Sequence, residues 1–340
     1  MNFKEFADRC REPVYKKICE YIRIKEPVGH YKIMRDYIDR QGKYRRPGLL
    51  LLTANMYGAT MEEAILPAAA MQLSEDWILM QDDWEDDSEL RRGQPAAHRI
   101  YGPVHTVNAT NTGQMAMWKM LKDYIIQAGL PTGGAVYDKF YQMLEYTVEG
   151  QYVENHFIHD IKDLSKADAD LYFRIAKGKT CFYTIYGPMQ LGALTRGARP
   201  ADLEKLKEIG EAAGIAFQIV DDILDMTADE KEFGKRTMGD LYEGKMTLIA
   251  LHAYESATRS EKDRMDDIYR KSRAEKKDTD IAFLKEMVEK YDCIPYARGI
   301  AEEYGKTAKA AVEKYAASMP KNEYSEILIS AIEEMYTRKK

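Results

Sequence analysis

"PADLEKLKEIGEAAGIAFQIVDDILDM", residues 200–226, sets apolar side chains at Leu203, Leu206, Ile209, Ala213, Ala216, Val220 and Ile223. Steps of three and four put them all on one face of a helix. Pro200 suits a first helical turn, and Asp202 and Glu204 place negative charge where the helix dipole favours it. The segment Ile78–Glu89 also reads as helix. So does "YDKFYQMLEYTVEGQYVENHF" (137–157), after a Pro-Thr-Gly-Gly break at 131–134. "IPYARGIAEEYGKTAKAAVEKYAASM" (294–319) and "YSEILISAIEEMYTRKK" (324–340) extend the pattern. Strand alternation, repeats and low-complexity linkers are missing, and the charged stretch 259–280 suits an exposed helix pair. The expectation is an all-α fold, one domain spanning residues 1–340.

Composition narrows the function. Hydrophobic residues at 45% and charged residues at 31% describe a soluble globular protein, and a formal charge of −6 speaks against nucleic-acid binding. The four cysteines, Cys10, Cys19, Cys181 and Cys293, form no CxxC pair and read as free thiols of a reducing compartment. The start "MNFKEFADRC" lacks a signal-peptide apolar run, and no stretch approaches the roughly 20 apolar residues of a membrane span. A cytoplasmic protein that is not integral to the membrane is expected.

One segment resists a bland reading. "MQLSEDWILMQDDWEDDSELRRGQPAAH" (71–98) threads Glu75, Asp76, Asp82, Asp83, Asp86 and Asp87 through Trp77, Ile78, Leu79, Met80 and Trp84. On a helix Asp82 and Asp86 project together, with Asp83 and Asp87 on the adjoining stripe. Two carboxylates that close repel unless a cation lies between them. An all-oxygen site with incomplete protein ligation suits Mg²⁺, which keeps waters and commonly binds substrate phosphates. A lone motif of this kind is more often a solvated face. Here, however, "FQIVDDILD" repeats the spacing at Asp221, Asp222 and Asp225, again within apolar helix. "RMDDIYRKS" is the internal control, since Asp266 and Asp267 lack the third carboxylate and the apolar flanks and read as surface. Basic clusters alternate with the acidic ones: Lys43, Arg45 and Arg46; Arg91 and Arg92; Lys179 with Thr180; Lys235 and Lys245. Arginine suits bidentate phosphate contact.

In order and spacing, "GKYRRP" (42–47), "DDWEDDSELRRG" (82–93), "GKTCFYT" (178–184), "FQIVDDILD" (217–225) and "GKRTMGDLYEGK" (234–245) resemble the trans-isoprenyl diphosphate synthases of the short-chain farnesyl and geranylgeranyl type. The resemblance implies a helical bundle around a deep central cavity, usually a homodimer. It implies condensation of isopentenyl diphosphate with an allylic diphosphate (dimethylallyl, geranyl or farnesyl), to give a C15 to C20 prenyl diphosphate. In that chemistry several Mg²⁺ ions assist ionisation of the allylic C–O bond, the isopentenyl double bond attacks the cation, and a proton is lost. The metal ligands implied are Asp82, Asp86 and Asp221, supported by Asp83, Asp222 and Asp225. Arg91, Lys179, Lys235 and Lys245 would hold the allylic diphosphate, and Lys43, Arg46 and Arg92 the homoallylic one. Thr180, Tyr183 and Gln218 offer oxygens to the cation, or make ordinary helix hydrogen bonds. Trp77 and Ile78 would form the floor that stops chain growth. His98 and the basic tail ending at Lys340 have no assigned role, and His156 and His159 read as structural.

One departure stands out. Glu75 occupies a position where the family usually carries His or Gln against isopentenyl diphosphate. This leaves two alternatives to condensation: a terpene synthase ionising a preformed prenyl diphosphate, or a regulatory subunit of a heteromeric synthase.

Overall fold

The computed structural model describes residues 1–227, 237–320 and 322–337; Lys235 and the last three residues of the basic tail lie outside them. The chain is helical throughout: α1 (Phe3–Tyr21), α2 (Val28–Arg40), α3 (Arg45–Met56), α4 (Met61–Glu85), α5 (Ala97–Tyr101), α6 (Pro103–Ala128), α7 (Leu130–Asn155), α8 (Ala169–Ile175), α9 (Gly187–Leu194) and α10 (Pro200–Thr227), with further helices at 239–337. Asn2 and Glu5 close a reciprocal cap at the start of α1, as Thr60 and Glu63 do for α4, satisfying amides that a helix leaves without partners. Among the described residues the strands are confined to one hairpin, β1 (Leu90–Arg91) against β2 (Gln94–Pro95).

Two boundaries differ from expectation. The helix expected over 78–89 begins at Met61 and stops at Glu85. Residues Leu66–Ser74 are buried without a break, so this part of α4 shows no solvent face for a period to reveal. The Pro-Thr-Gly-Gly at 131–134 is not a break but the opening of α7, since Pro131 fits a first turn where no amide bond is lost. The break is Gly129, at φ +80°, which lets α7 fold back antiparallel to α6.

Helices α3, α4, α6, α7 and the run 176–194 pack successively into a ring, and α10 lies against 176–186 and the helix Cys293–Ala317. Two close approaches fix the ring's inner wall. A side chain at Gly150 of α7 would lie 2.9 Å from the Lys179 backbone, and one at Gly214 of α10 would lie 2.7 Å from Cys181. Segment 176–186, wound in wide π-type turns, is thereby squeezed between α7 and α10, with Lys179 and Thr180 turned to the ring's interior. All four cysteines are free.

Candidate active site

A cavity of about 450 Å³ lies between α4, α7, segment 176–186 and α10. Helix α4 contributes Glu75, Trp77, Ile78, Asp82 and Asp86 to its wall; α10 faces it with Gln218, Asp221, Asp222 and Asp225. Both acidic motifs lie at the C-terminal ends of their helices, where the dipole adds negative potential. The walls are therefore poised for cations.

In the structure two lysines stand against these acids. Lys179 Nζ stands 3.2 Å from Asp82 and also pairs with Glu154, and Gln151 donates to Asp82 at 3.2 Å. Lys245 Nζ lies 3.2 Å from Asp86, 2.7 Å from Glu243 and 3.6 Å from Asp240. Burial opposes charge on Asp82, yet Lys179, Lys245 and Arg91 hold its carboxyl well below the ordinary carboxylate range. Burial pushes Asp86 upward against the pull of Lys245, and the neighbouring Asp82 adds to the rise. Asp222 is pushed up by burial as well, although Tyr172 (2.7 Å) and Gln218 (2.8 Å) donate to it. Thr180 donates to Gln218 at 2.6 Å, so one chain of hydrogen bonds runs from segment 176–186 into the second acidic motif.

This donor set fits a divalent ion. It is all oxygen, and part of it resists ionisation for want of positive charge. Among the described residues no three His, Cys, Asp or Glu side chains converge on one point. Mg²⁺ needs no such cage, because it binds through one or two carboxylates and completes its shell with water and phosphate oxygens. Asp82, Asp86 and Asp221 are the groups placed to hold it.

The anion-binding residues divide. Arg46 lines the cavity, 3.0 Å from Glu75, 2.9 Å from Thr184, and over the Tyr183 ring at 4.8 Å. Tyr183 shares a 2.9 Å hydrogen bond with Ser74. Three residues expected in the site are placed outside the cavity wall. Asp83 is fully buried behind it, gripped by Arg91 and accepting from Tyr37 at 2.6 Å, so its oxygens orient Arg91 and are taken from any metal. Arg92 turns inward to the Tyr37 carbonyl and, at 3.0 Å, to buried Asp76. Lys43 is exposed. The hairpin explains the division of the arginines. Arg92 and Gly93 both have positive φ, as a two-residue turn requires, which sends Arg91 and Arg92 to different partners. Gln151, Glu154, Asp240, Glu243 and Arg273 also line the cavity and were not singled out from the sequence. For Asp240 and Glu243 the signal was present, as acids five and two residues before Lys245. His156 pairs with Asp160 at 2.8 Å, and His98 is buried 3.8 Å from Asp87.

Comparison with known proteins gives the family. The polyprenyl synthetase family matches residues 29–287. Geranylgeranyl diphosphate synthase of Sulfolobus acidocaldarius is 31% identical, over 78% of this chain and 78% of its own length. The short chain isoprenyl diphosphate synthase of Methanothermobacter thermautotrophicus is 29% identical over 92% of this chain and 93% of its own. The crystal structure of geranylgeranyl pyrophosphate synthetase from Pyrococcus horikoshii superposes with a TM-score of 0.84 at 28% identity, covering 99% of each chain. The fold is that of the helical prenyl synthases. The chain belongs to the polyprenyl synthetase family and is a prenyltransferase, a short-chain isoprenyl diphosphate synthase.

Proposed function

We propose that this chain joins isopentenyl diphosphate to an allylic diphosphate and releases a short prenyl diphosphate of C15 to C20. The names of its geranylgeranyl-forming relatives support the C20 end of that range. The observation that carries the reading is the convergence of Asp82 and Asp86 on α4 with Asp221 on α10 around one cavity, with Lys179 and Lys245 held among the acids. Mg²⁺ bound to these carboxylates would supply Lewis-acid charge to the departing diphosphate. Structures of family members with calcium or magnesium and isoprenyl diphosphate support a divalent ion.

The chain's own residues do the rest. Lys179 and Lys245 leave their carboxylate partners to hold the allylic diphosphate, and Arg91 joins them while Asp83 keeps it oriented. Lys235 joins them in this reading from outside the described residues. The allylic C–O bond breaks with its electron pair on the leaving oxygen. The isopentenyl double bond then attacks the allylic carbon, and a proton is lost to restore the alkene. Thr180, Gln218 and Tyr183 present oxygens to the cation. Trp77, Ile78 and Phe217 keep water from capturing it. Arg46 receives the second diphosphate; Arg92 and Lys43 join it only by rotating from their present positions.

Three wider features belong to the same proposal. One buried core runs from Phe3 to Met335, which supports a single domain over residues 1–340. A homodimer is supported by large exposed apolar groups on adjacent helices: Val104, Met115 and Ile126 recur every eleven residues along α6, beside Tyr141, Val148 and Tyr152 of α7. Sedimentation as a monomer would remove that part. The four free cysteines support a cytoplasmic site, and no described helix is long and apolar enough to cross a membrane.

The decisive experiment incubates the protein with isopentenyl diphosphate, Mg²⁺ and dimethylallyl, geranyl or farnesyl diphosphate in turn, and reads product mass. All three primers should converge on one short product. Hydrocarbon released from geranyl or farnesyl diphosphate, with isopentenyl diphosphate untouched, would instead establish the terpene-synthase alternative.

A further inference from the structure

The charged stretch 271–277 closes the back of the active site. Arg273 lines the cavity and donates to Glu243 at 2.7 Å, with side-chain exposures of only 16% and 11%. Lys276 is 7% exposed and donates at 2.9 Å to the carbonyls of both Leu241 and Tyr242. Those carbonyls end the short helix Gly239–Glu243, where a helix leaves its acceptors without partners. A side chain at Gly244 (φ +85°) would lie 3.0 Å from Lys276 Nζ, so the lysine fills the space beneath the turn. Tyr269 adds a hydrogen bond at 3.3 Å to the carbonyl of Lys245 itself.

We propose that Arg273 and Lys276 are positioning residues for Lys245, Arg273 acting through Glu243 and Lys276 through the backbone of the turn. This rests on the reading of Lys245 as a ligand of the allylic diphosphate. When that diphosphate arrives, Lys245 must give up Asp86 and turn toward phosphate. Glu243, 2.7 Å away, is then the nearer of the two anions left beside it, with Asp240 at 3.6 Å. Uncompensated, that carboxylate would repel the substrate and draw Lys245 back. Arg273 neutralises Glu243 from the far side and fixes it, so that Lys245 pivots on an anchored partner instead of following a loose one. Isopentenyl diphosphate, received at Arg46, is not in contact with this network.

Steady-state kinetics with each substrate varied separately test the proposal. Arg273→Gln should raise the KM for the allylic diphosphate roughly tenfold, with the KM for isopentenyl diphosphate held within about twofold. Arg273→Lys should recover most of the loss. In a Glu243→Gln background the same Arg273→Gln change should add less than about twofold, because the partner it acts through is already gone. Equal rises in both KM values, or independent effects of the two substitutions, would overturn the proposal. If Arg273→Gln does not fold, the Glu243→Gln enzyme still decides it, since it must alter the allylic KM selectively while Arg273→Lys stays near wild type. Lys245→Gln serves as the control. If it leaves the allylic KM unchanged, the assignment of Lys245 fails, and the inference with it; if it raises that KM while Arg273→Gln does not, the inference alone fails.

Discussion

Glu75 is 12% exposed on the cavity wall, with its carboxylate 3.0 Å from Arg46 and 4.0 Å from Arg92. An internal anion thus sits where a second diphosphate would meet Arg46, and the incoming substrate must displace it before gaining the guanidinium. Glu75→Gln removes that competition while keeping the shape. The KM for isopentenyl diphosphate should fall by roughly three- to tenfold, about 1 kcal/mol, with the allylic KM unchanged. Steady-state assays in each substrate decide it, and a change confined to the allylic KM would put Glu75 in the other subsite. The carboxylates proposed to hold the metal give a harsher outcome. Asp82→Ala or Asp221→Ala should each cut turnover by roughly a hundredfold or more, since preorganised charge at the leaving group contributes on that scale. Circular dichroism should still report a folded helical protein. Near-normal Mg²⁺-dependent turnover in either variant would remove the two-wall assignment.

At the scale of helices, legibility followed exposure. The first turns of α10 expose Ala201, Glu204, Lys205 and Glu208, so its apolar period could be read there, although residues 212–216 are buried without a break. The first half of α4 is buried all round and shows no period. The wide turns of 176–186 arise from packing between α7 and α10, which no local pattern encodes. The same logic divides the site residues. Asp82 and Asp86 share the cavity wall because helix geometry puts them on one face, and the packing of α10 against 176–186 brings Asp221 to the same cavity. Arg92 was read as a substrate ligand, yet it chooses Asp76, a buried partner sixteen residues away whose burial the sequence does not display. The segment 271–277 was read as surface charge, and its Lys276 is buried. Burial pulls that lysine down to about 8 from an ordinary 10.5, with Arg273 and Lys162 adding to the fall against Glu243. Between those values the folded chain binds fewer protons here than the unfolded one, so stability rises with pH across the window. Below about 8 both states carry the charge, and the cost of burying it is felt in full. A neutral amine still has enough hydrogens for both carbonyls. The wild-type protein should therefore gain in thermal midpoint relative to Lys276→Met as pH is raised from about 7.5 to about 10. A constant difference across that range would show that the amine does not titrate within it.

For the whole molecule the open quantity is how deep the cavity runs, because product length follows depth. Trp77 lines the cavity at 5% exposure and backs onto the α4–α6 contact. There a side chain at Gly113 would come within 3.1 Å of the Trp77 Cβ and 2.9 Å of the Met34 sulfur. The close approach of α6 at Gly113 thus anchors Trp77 at its Cβ, with Met34 of α2 at the same junction. Ile78 stands beside it on the same wall. A rigid stop of this size favours the short products named for the geranylgeranyl-forming relatives over longer chains. The competing account is that Trp77 is ordinary helix packing, as large buried aromatics mostly are. Both accounts give Trp77→Ala a loss of about 3 to 5 kcal/mol in stability, the usual cost of an aromatic-to-alanine void. They part on product. If the indole is the floor, its removal joins the void to the cavity, and the product gains at least one C5 unit under saturating isopentenyl diphosphate. Trp77→Phe, which keeps an aromatic stop, should stay near the wild-type length. A folded, active Trp77→Ala enzyme whose product mass is unchanged would place the stop deeper than α4.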